Sequence, residues 1–357
     1  MRKNRFAAFL LWTFLALACW GMALGGFLAN RQGNREFTAY YDSTVLTGKE
    51  MDIFTRDQEE EDIPVTAAWK EEEKESFTGS LARSCQGTFL EVRGEMEVLF
   101  PRQLIQGNFP WSGDEQGCVI SRGLSQELFG TDFGVGNGIQ AQGETYTVRG
   151  ILEGKDNLLA VWAKEEEGLE NFRLSYDTDL VPVSQAEAFL YQMTGAEPER
   201  IFEGNLYGAL SRFSLFLPVL ILGALAGIRS LQTGRKQGDI RKKLCWYVLA
   251  GLSCLLFLWG LEKSIRLSPD YFPSMWSDLS FYPQLLEEKI QIFQELTAKK
   301  LCQADSRILT GTWRTLLLSG ASLFLELLAV GAFPEKEVWH FYSPLHSIKE
   351  KGLERFE

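Results

Sequence analysis

The sequence predicts an α+β extracytoplasmic domain carried on a four-helix α transmembrane region. Three observations predict it: apolar residues gathered into four runs, a Lys/Arg bias that alternates across them, and an acidic stretch between the first run and the second. The runs are Phe6–Leu28, Phe213–Ile228, Leu244–Leu261 and Leu316–Phe333, of 23, 16, 18 and 18 residues. About 17–25 residues of helix cross a bilayer. The second run falls short unless its helix extends N-terminally past Arg212, whose long side chain can snorkel to the interface.

The first run follows MRKNR, a basic segment that would also suit a signal peptide. Its length exceeds the roughly 7–15 residues of a signal's apolar region. Leu15–Cys19 faintly suggests a lipoprotein site, but Trp20–Leu28 stays apolar where a mature lipoprotein turns polar. The expectation is an uncleaved helix.

Orientation follows from basic residues in short flanking segments. Arg2, Lys3 and Arg5 precede the first run, and Arg229, Arg235, Lys236, Arg241, Lys242 and Lys243 face only Asp239 between the second and third. Both segments are therefore expected in the cytoplasm. The expected organisation is residues 1–29 as a cytoplasmic stub and first helix, 30–205 as the extracytoplasmic domain and 206–229 as the second helix. Residues 230–243 form a basic cytoplasmic loop, 244–262 the third helix and 263–313 an aromatic-rich extracytoplasmic loop. Residues 314–333 form the fourth helix and 334–357 a cytoplasmic tail, which puts both termini inside a multi-pass protein of the cell membrane. Trp246, Trp259 and Trp313 fall near helix ends as interface anchors. In the tail, 338–356 suits the inner membrane surface.

The acidity has an address. Residues 30–211 hold 33 Asp and Glu against 15 Lys and Arg, a balance of −18. Such a domain does not attract nucleic acid or anionic lipid. The runs DQEEED (57–62), KEEEKE (70–75) and KEEEG (164–168) lack the alternating oxygen-ligand spacing and turn glycine of a calcium loop, and read as solvated faces. Cys19, Cys245 and Cys254 fall in the apolar runs as small packing residues. Cys85, Cys118 and Cys302 lie outside, where a Cys85–Cys118 bridge is permitted but not demanded.

Within the outer domain, residues 30–64 read as a mixed approach segment. Val65 to about Glu75 permits a strand running into a charged helix. Residues 77–101 read as strands, with Phe89, Val92, Met96 and Val98 inward. Residues 104–117 carry turn chemistry, punctuated by Pro110, Gly113 and Gly117. Cys118–Ile120 is a short buried strand. Ser121 caps a helix whose apolar face is Leu124, Leu128 and Phe129, and Gly130 stops it. Ile139–Gln142 pairs with Thr145–Leu152 across Gly143-Glu144 in a tight hairpin. Tyr146, Val148 and Ile151 face the core, with a switch of face near Gly150. Leu158–Ala163 is a further strand, and Ser184 caps a helix within 180–193.

Here a resemblance emerges. The run from Val119-Ile-Ser through Leu128-Phe-Gly, Val135-Gly, Gly143 and Tyr146-Thr-Val-Arg-Gly-Ile151 resembles the MacB-like periplasmic core domain. Upstream, Leu104-Ile-Gln-Gly-Asn-Phe109 is similar to that family's Gly-Arg-Phe segment, with Asn108 where Arg is usual. The match covers roughly residues 85–155. One such domain between a first helix and three later ones is also the layout of MacB/FtsX-type ABC-transporter permeases. The resemblance implies a non-enzymatic arm passing movement from a separate cytoplasmic ABC ATPase to a sister permease, an extracytoplasmic protein or a substrate. In that family the cytoplasmic loop carries a Glu-Ile-Gly…Arg-Ala-x-Gly pattern that docks the ATPase. Here Gly238-Asp239-Ile240-Arg241 stands in its place, the candidate coupling loop and a departure from the pattern.

Two other features stand out. Glu326 is a carboxylate deep in the fourth apolar run, a costly placement that makes it a functional candidate or a paired structural group; Arg212 and Arg314 are its conceivable neighbours. The loop at 268–300 is rich in Tyr271, Phe272, Trp276, Phe281 and Tyr282, candidate partner-binding residues. The same loop could instead cap the domain or lie at the lipid surface, with an amphipathic helix of Leu285, Leu286, Ile290, Ile292 and Phe293 from Pro283 onward.

Chemistry is not legible. No Gly-x4-Gly-Lys-Ser/Thr loop is present, so ATP hydrolysis would need another chain. The two histidines, His340 and His346, lie in the tail, leaving the outer domain without a Ser-His-Asp triad or His-based zinc site. Ser76 near Lys74 is the weak remnant of a Ser-Lys pair. Gly134–Gly138 opens no helix and is no dinucleotide fingerprint. No cofactor is expected. The leading expectation is a permease-like subunit; the alternative is a non-transporting membrane scaffold or sensor that kept the outer domain without ATPase coupling.

Overall fold

The structure, a computed structural model, describes residues 2–57, 63–100, 103–178, 180–273 and 280–332, with side chains from Phe6 onward. The chain divides into two compact units. A sheet unit comprises Asn30–Ala209 and Arg266–Thr310; a helical unit comprises Met1–Ala29, Leu210–Ile265 and the chain from Gly311 on.

In chain order, α1 (Arg2–Ala29) leads to β1 (Glu36–Tyr40), β2 (Leu46–Thr47) and α2 (Gly48–Asp57). The hairpin β3 (Val65–Gly79) and β4 (Ser84–Gly94) is followed by the one-turn α3 (Met96–Leu99) and β5 (Leu104–Gly107). Next come β6 (Gly117–Ser121), α4 (Arg122–Phe129), β7 (Gly138–Ala141), β8 (Glu144–Leu152) and β9 (Leu158–Trp162). Then β10 (Gly168–Leu169), β11 (Asn171–Ser175), α5 (Val183–Thr194) and β12 (Arg200–Glu203) complete the strands. The remaining helices are α6 (Gly204–Lys236), α7 (Ile240–Ser264), α8 (Phe281–Ala298) and α9 (Gln303–Ala332).

The main sheet runs β12-β1-β11-β3-β4-β9-β6-β8-β5, and β7 pairs with both β3 and β8. That last pairing closes a ring, β3-β4-β9-β6-β8-β7, so one half of the sheet is a small barrel and the other half stays open. Closure removes the edges that an open sheet would expose. The long strand β3 serves both halves. Its register against β4 shifts between Glu72 and Glu75, where Lys74 takes a positive φ of 63°. A bulge bends its strand and strengthens the local twist, and here it sits along the wall of the ring.

The barrel interior is apolar. Phe77, Phe89, Ile120, Leu124, Leu128, Ile139, Val148, Ile151 and Leu159 are all wholly buried in one cluster. Helix α4 contributes Leu124 and Leu128 to it, held at its start by Ser121 Oγ accepting from Leu124 N at 3.3 Å. Gly130 ends the helix at φ 72°, a left-handed position that glycine occupies at low cost. The change of face along β8 has a physical cause. Its parallel register with β6 slips at Arg149, so Tyr146 and Val148 point inward before the slip and Ile151 after it.

Several elements differ from expectation. The stretch 30–64 contains β1, paired on both sides by β11 and β12. The acidic run after Val65 is strand rather than helix, because β4 pairs it through Phe89 and Leu90 into the ring. Residues 96–99 are a helical turn, and Leu104–Gly107 is a strand on β8. The tight turn of the β7–β8 hairpin is Gln142-Gly143, both at positive φ, one residue earlier than expected. Helix α5 begins after Pro182; Ser184 lies in its first turn and its N–H donates to Asp270 Oδ2 at 3.2 Å.

In the helical unit, α1, α6, α7 and α9 are long and apolar enough to cross a membrane. The second apolar run, short on its own, belongs to a 33-residue helix that passes Arg212 unbroken. Interhelical hydrogen bonds and small residues mark the contacts. Ser322 Oγ donates to Ala16 O at 3.0 Å, Trp20 Nε1 donates to Leu215 O at 3.0 Å, and a Cβ on Gly227 would meet that of Ser253 at 3.6 Å. In lipid, close backbone approach and interhelical hydrogen bonds replace the hydrophobic drive.

Candidate functional site

The most concentrated chemistry in the sheet unit is a buried ionic cluster. Alternate residues of a strand share a face, so Glu36, Thr38 and Tyr40 line one side of β1, and Thr38 lies directly opposite Arg173 of β11. Arg173 and Asp305, from the first turn of α9, are both fully buried and meet at 2.5 Å. Arg173 also donates to Thr38 Oγ1 at 3.0 Å and to Glu36 Oε2. Asp305 accepts from Tyr40 OH at 2.7 Å and from Thr38 Oγ1 at 3.0 Å. Tyr40 OH in turn accepts from Cys302 N at 2.9 Å.

Burying charge costs several kcal/mol per ion, offset only where pairing and hydrogen bonds are good. Burial alone would pull the Arg173 guanidinium down, but Asp305 and Glu36 hold it above its ordinary value. Burial and then Asp305 push the Tyr40 phenol well up. The same two causes push the Cys302 thiol up to about 12, the direction that burial gives a packed cysteine. The cluster fixes the start of α9 on the sheet. Sequence reasoning missed it. Its signals were the alternation Glu36-x-Thr38-x-Tyr40 and a lone Arg173 within an apolar strand, and neither names its partner.

A second cluster ties down the aromatic loop. Glu203, at the end of β12, accepts from Lys289 Nζ at 2.7 Å and from Tyr271 OH. Helix α8 buries Leu296 and packs Ile292 and Phe293 on the same apolar cluster as Trp69 and Leu90. This corrects one expectation. Tyr271 is 6% exposed and spends its hydroxyl inside the unit, so it does not face a partner. Phe272 and Tyr282 are exposed, Phe281 is half-buried against Tyr282, and Trp276 lies outside the described residues.

Elsewhere, the expected cytoplasmic loop at 230–243 is mostly helix: α6 ends at Lys236 and α7 begins at Ile240. Asp239 is the N-cap of α7, its Oδ1 accepting from Arg241 N at 3.1 Å. Gly238 has open space around it, and Ile240 is 82% exposed. Glu326 is half-buried in the helical unit, and its Oε2 has no hydrogen-bond partner among the described residues. Cys85 and Cys118 are both free thiols, without the bridge that their location permits. Among the described residues, no group of three or more His, Cys, Asp or Glu is placed to hold a metal ion. The tail with His340 and His346 lies outside the described residues.

No family model and no curated protein matches this sequence. Solved structures similar to the chain include a periplasmic region and an extracellular domain. The periplasmic region of MacB from Actinobacillus actinomycetemcomitans is 10% identical with a TM-score of 0.42, covering 49% of this chain and 91% of that one. The extracellular domain of the noncanonic ABC-type transporter YknZ from Gram-positive bacteria is 12% identical with a TM-score of 0.37, covering 46% of this chain and 96% of that one.

Proposed function

We propose that this chain is the permease-like membrane subunit of an ABC-transporter-type complex, transmitting movement from a separate ATPase to an extracytoplasmic domain that engages a substrate or a protein partner. The observation that carries the reading is where the family-like residues fall. Ile120, Leu128, Phe129, Tyr146, Val148 and Ile151 are the packed interior of the barrel. The resemblance thus rests on residues that specify a fold rather than on surface motifs. Basic residues at Arg229–Lys243 support a cytoplasmic side for that end, with both termini on it and the sheet unit outside. The buried Arg173–Asp305 pair suits a transmission element, because displacement of the first turn of α9 would move β1 and β11 with it. Catalysis has no part in the reading.

A second reading, a membrane scaffold or sensor without ATPase coupling, is favoured by the turn at Gly238–Arg241. It offers three residues between two helices, and one of them, Asp239, is occupied in capping. Purification of the tagged chain from native membranes in mild detergent separates the two. A stoichiometric ABC ATPase, lost when Arg235, Lys236, Arg241 and Lys242 are changed to Gln, supports the permease. An extracytoplasmic companion with no ATPase supports the scaffold.

A further inference from the structure

Along α9, Thr312, Thr315, Ser319, Ser322 and Glu326 recur at steps of three and four residues, so they share one face of the helix. The first four are 5, 1, 2 and 0% exposed, which makes this the inward face of a membrane-length helix. Alanine or glycine would pack as closely, yet this face carries hydroxyls and ends on a carboxyl. Most of the hydroxyls are engaged. Ser211 Oγ donates to Thr312 Oγ1 at 3.2 Å, Thr315 Oγ1 to Gly311 O at 2.9 Å, and Ser322 Oγ to Ala16 O at 3.0 Å. Ser319 Oγ and Glu326 Oε2 are buried with no hydrogen-bond partner among the described residues.

A carboxylate within a membrane span needs a countercharge or a proton. The neighbouring spans offer no cation. Phe6–Ala29 holds Cys19 as its one ionisable side chain, Phe213–Ile228 holds none, and Leu244–Leu261 holds Cys245, Tyr247 and Cys254. Arg5, Arg212, Arg229, Lys243, Glu262 and Lys263 all stand outside those apolar runs. Arg314, on α9 itself, is separated from Glu326 by roughly 18 Å of axial rise. Ser322 lies one turn before Glu326, within reach of its carboxyl. Its single hydroxyl hydrogen is already given to Ala16, so toward Glu326 its oxygen can only accept. The hydrogen of such a bond must come from a protonated carboxyl.

We propose that Glu326 is a proton-binding site inside the membrane, taking up and releasing a proton on the hydroxyl-lined face of α9. Uptake converts the carboxylate and one proton to the carboxylic acid, and the charge of the span changes by one with each exchange. Hydroxyls on the same face stabilise a charge that hydrocarbon would not, which is what release requires. The site goes beyond the permease reading and does not depend on it, since protonation requires no ATPase.

The test uses dicyclohexylcarbodiimide, an apolar reagent that modifies protonated carboxyls in membranes. The full chain is treated in phosphatidylcholine nanodiscs, and modified peptides are identified by mass spectrometry. Glu326 is expected to be labelled, with a rate that falls roughly tenfold or more between about pH 5 and pH 9 as the proton is released. Sodium ions at constant pH should give no protection. Glu326→Gln should abolish labelling at that position, and thermal unfolding establishes that the variant is folded. Absence of labelling at Glu326 at every pH overturns the site. So does a rate independent of pH, which would leave a permanently neutral packing group. Protection by sodium overturns it as well, by assigning the carboxyl to a metal cation.

Discussion

The sheet unit encloses large side chains almost completely, Trp69, Phe77, Phe89 and Phe172 among them; in the helical unit the most deeply buried side chains are small, Ala16, Ala23, Thr315 and Ser322. The outward residues reverse the pattern. Phe14 and Leu317 are each 70% exposed, and Leu255 is 64% exposed. The contrast teaches what solvent each unit is built for. Water drives large apolar side chains inward. Lipid is as apolar as leucine, so helices gain instead by close approach and interhelical hydrogen bonds. A protein in water rarely exposes so many contiguous apolar residues.

The largest expected effect comes from a fully buried ion pair in the sheet unit. Asp305→Ala leaves Arg173 buried without its main counterion and should cost about 3–5 kcal/mol. Arg173→Met combined with Asp305→Leu should recover much of that loss, as a purely apolar substitute would. Denaturant unfolding followed by tryptophan fluorescence measures both. If the single variant is as stable as the double, the pair is not what holds α9 on the sheet.

Next in size is overpacking of the helical unit. Ala23→Leu places extra methylenes at a fully buried position and should cost about 1–3 kcal/mol in detergent unfolding. An indifferent result would mean that small residues are not what brings these helices together.

A smaller effect depends on pH. Glu91, in β4, is buried facing Lys70, Glu72 and Glu167, and burial followed by Glu167 pushes its carboxyl up to about 7. Between the ordinary carboxylate value and about 7, the folded chain holds a proton that the unfolded chain has released. Stability is therefore fully present at acidic pH and falls as pH rises through that window, by about 1 kcal/mol once partial solvation is allowed for. Glu91→Gln should flatten the profile. A profile unchanged by the substitution would assign the slope to another group.

The smallest effect completes the contrast. Phe14→Ala changes an outward residue and should shift unfolding by less than about 0.5 kcal/mol in detergent. A loss of several times that would mean Phe14 is packed against protein and not lipid.

What could be read from the chain alone was local. The four apolar runs, the Ser121 cap, the Gly130 stop and the strand at Cys118–Ile120 each depend on residues close in sequence, and each is found in the structure. Strands β1, β11 and β12 could not be read, because their residues gain a partner only when distant segments meet. Arg173 and Asp305 lie 132 residues apart. The charged part of the segment from Val65 to about Glu75 reads as helix for the same reason: local propensity yields to a register that only the ring supplies.

The sequence by itself determined that the chain has four membrane-length helices and a strongly acidic α+β domain after the first, since length, apolarity and charge are sums over neighbouring residues. Tertiary structure alone decided that the domain closes into a barrel, that Tyr271 is buried, and that Arg173 and Asp305 meet. Pairing and burial are properties of contacts between segments far apart in the chain, and no local pattern encodes which segment will be across the gap.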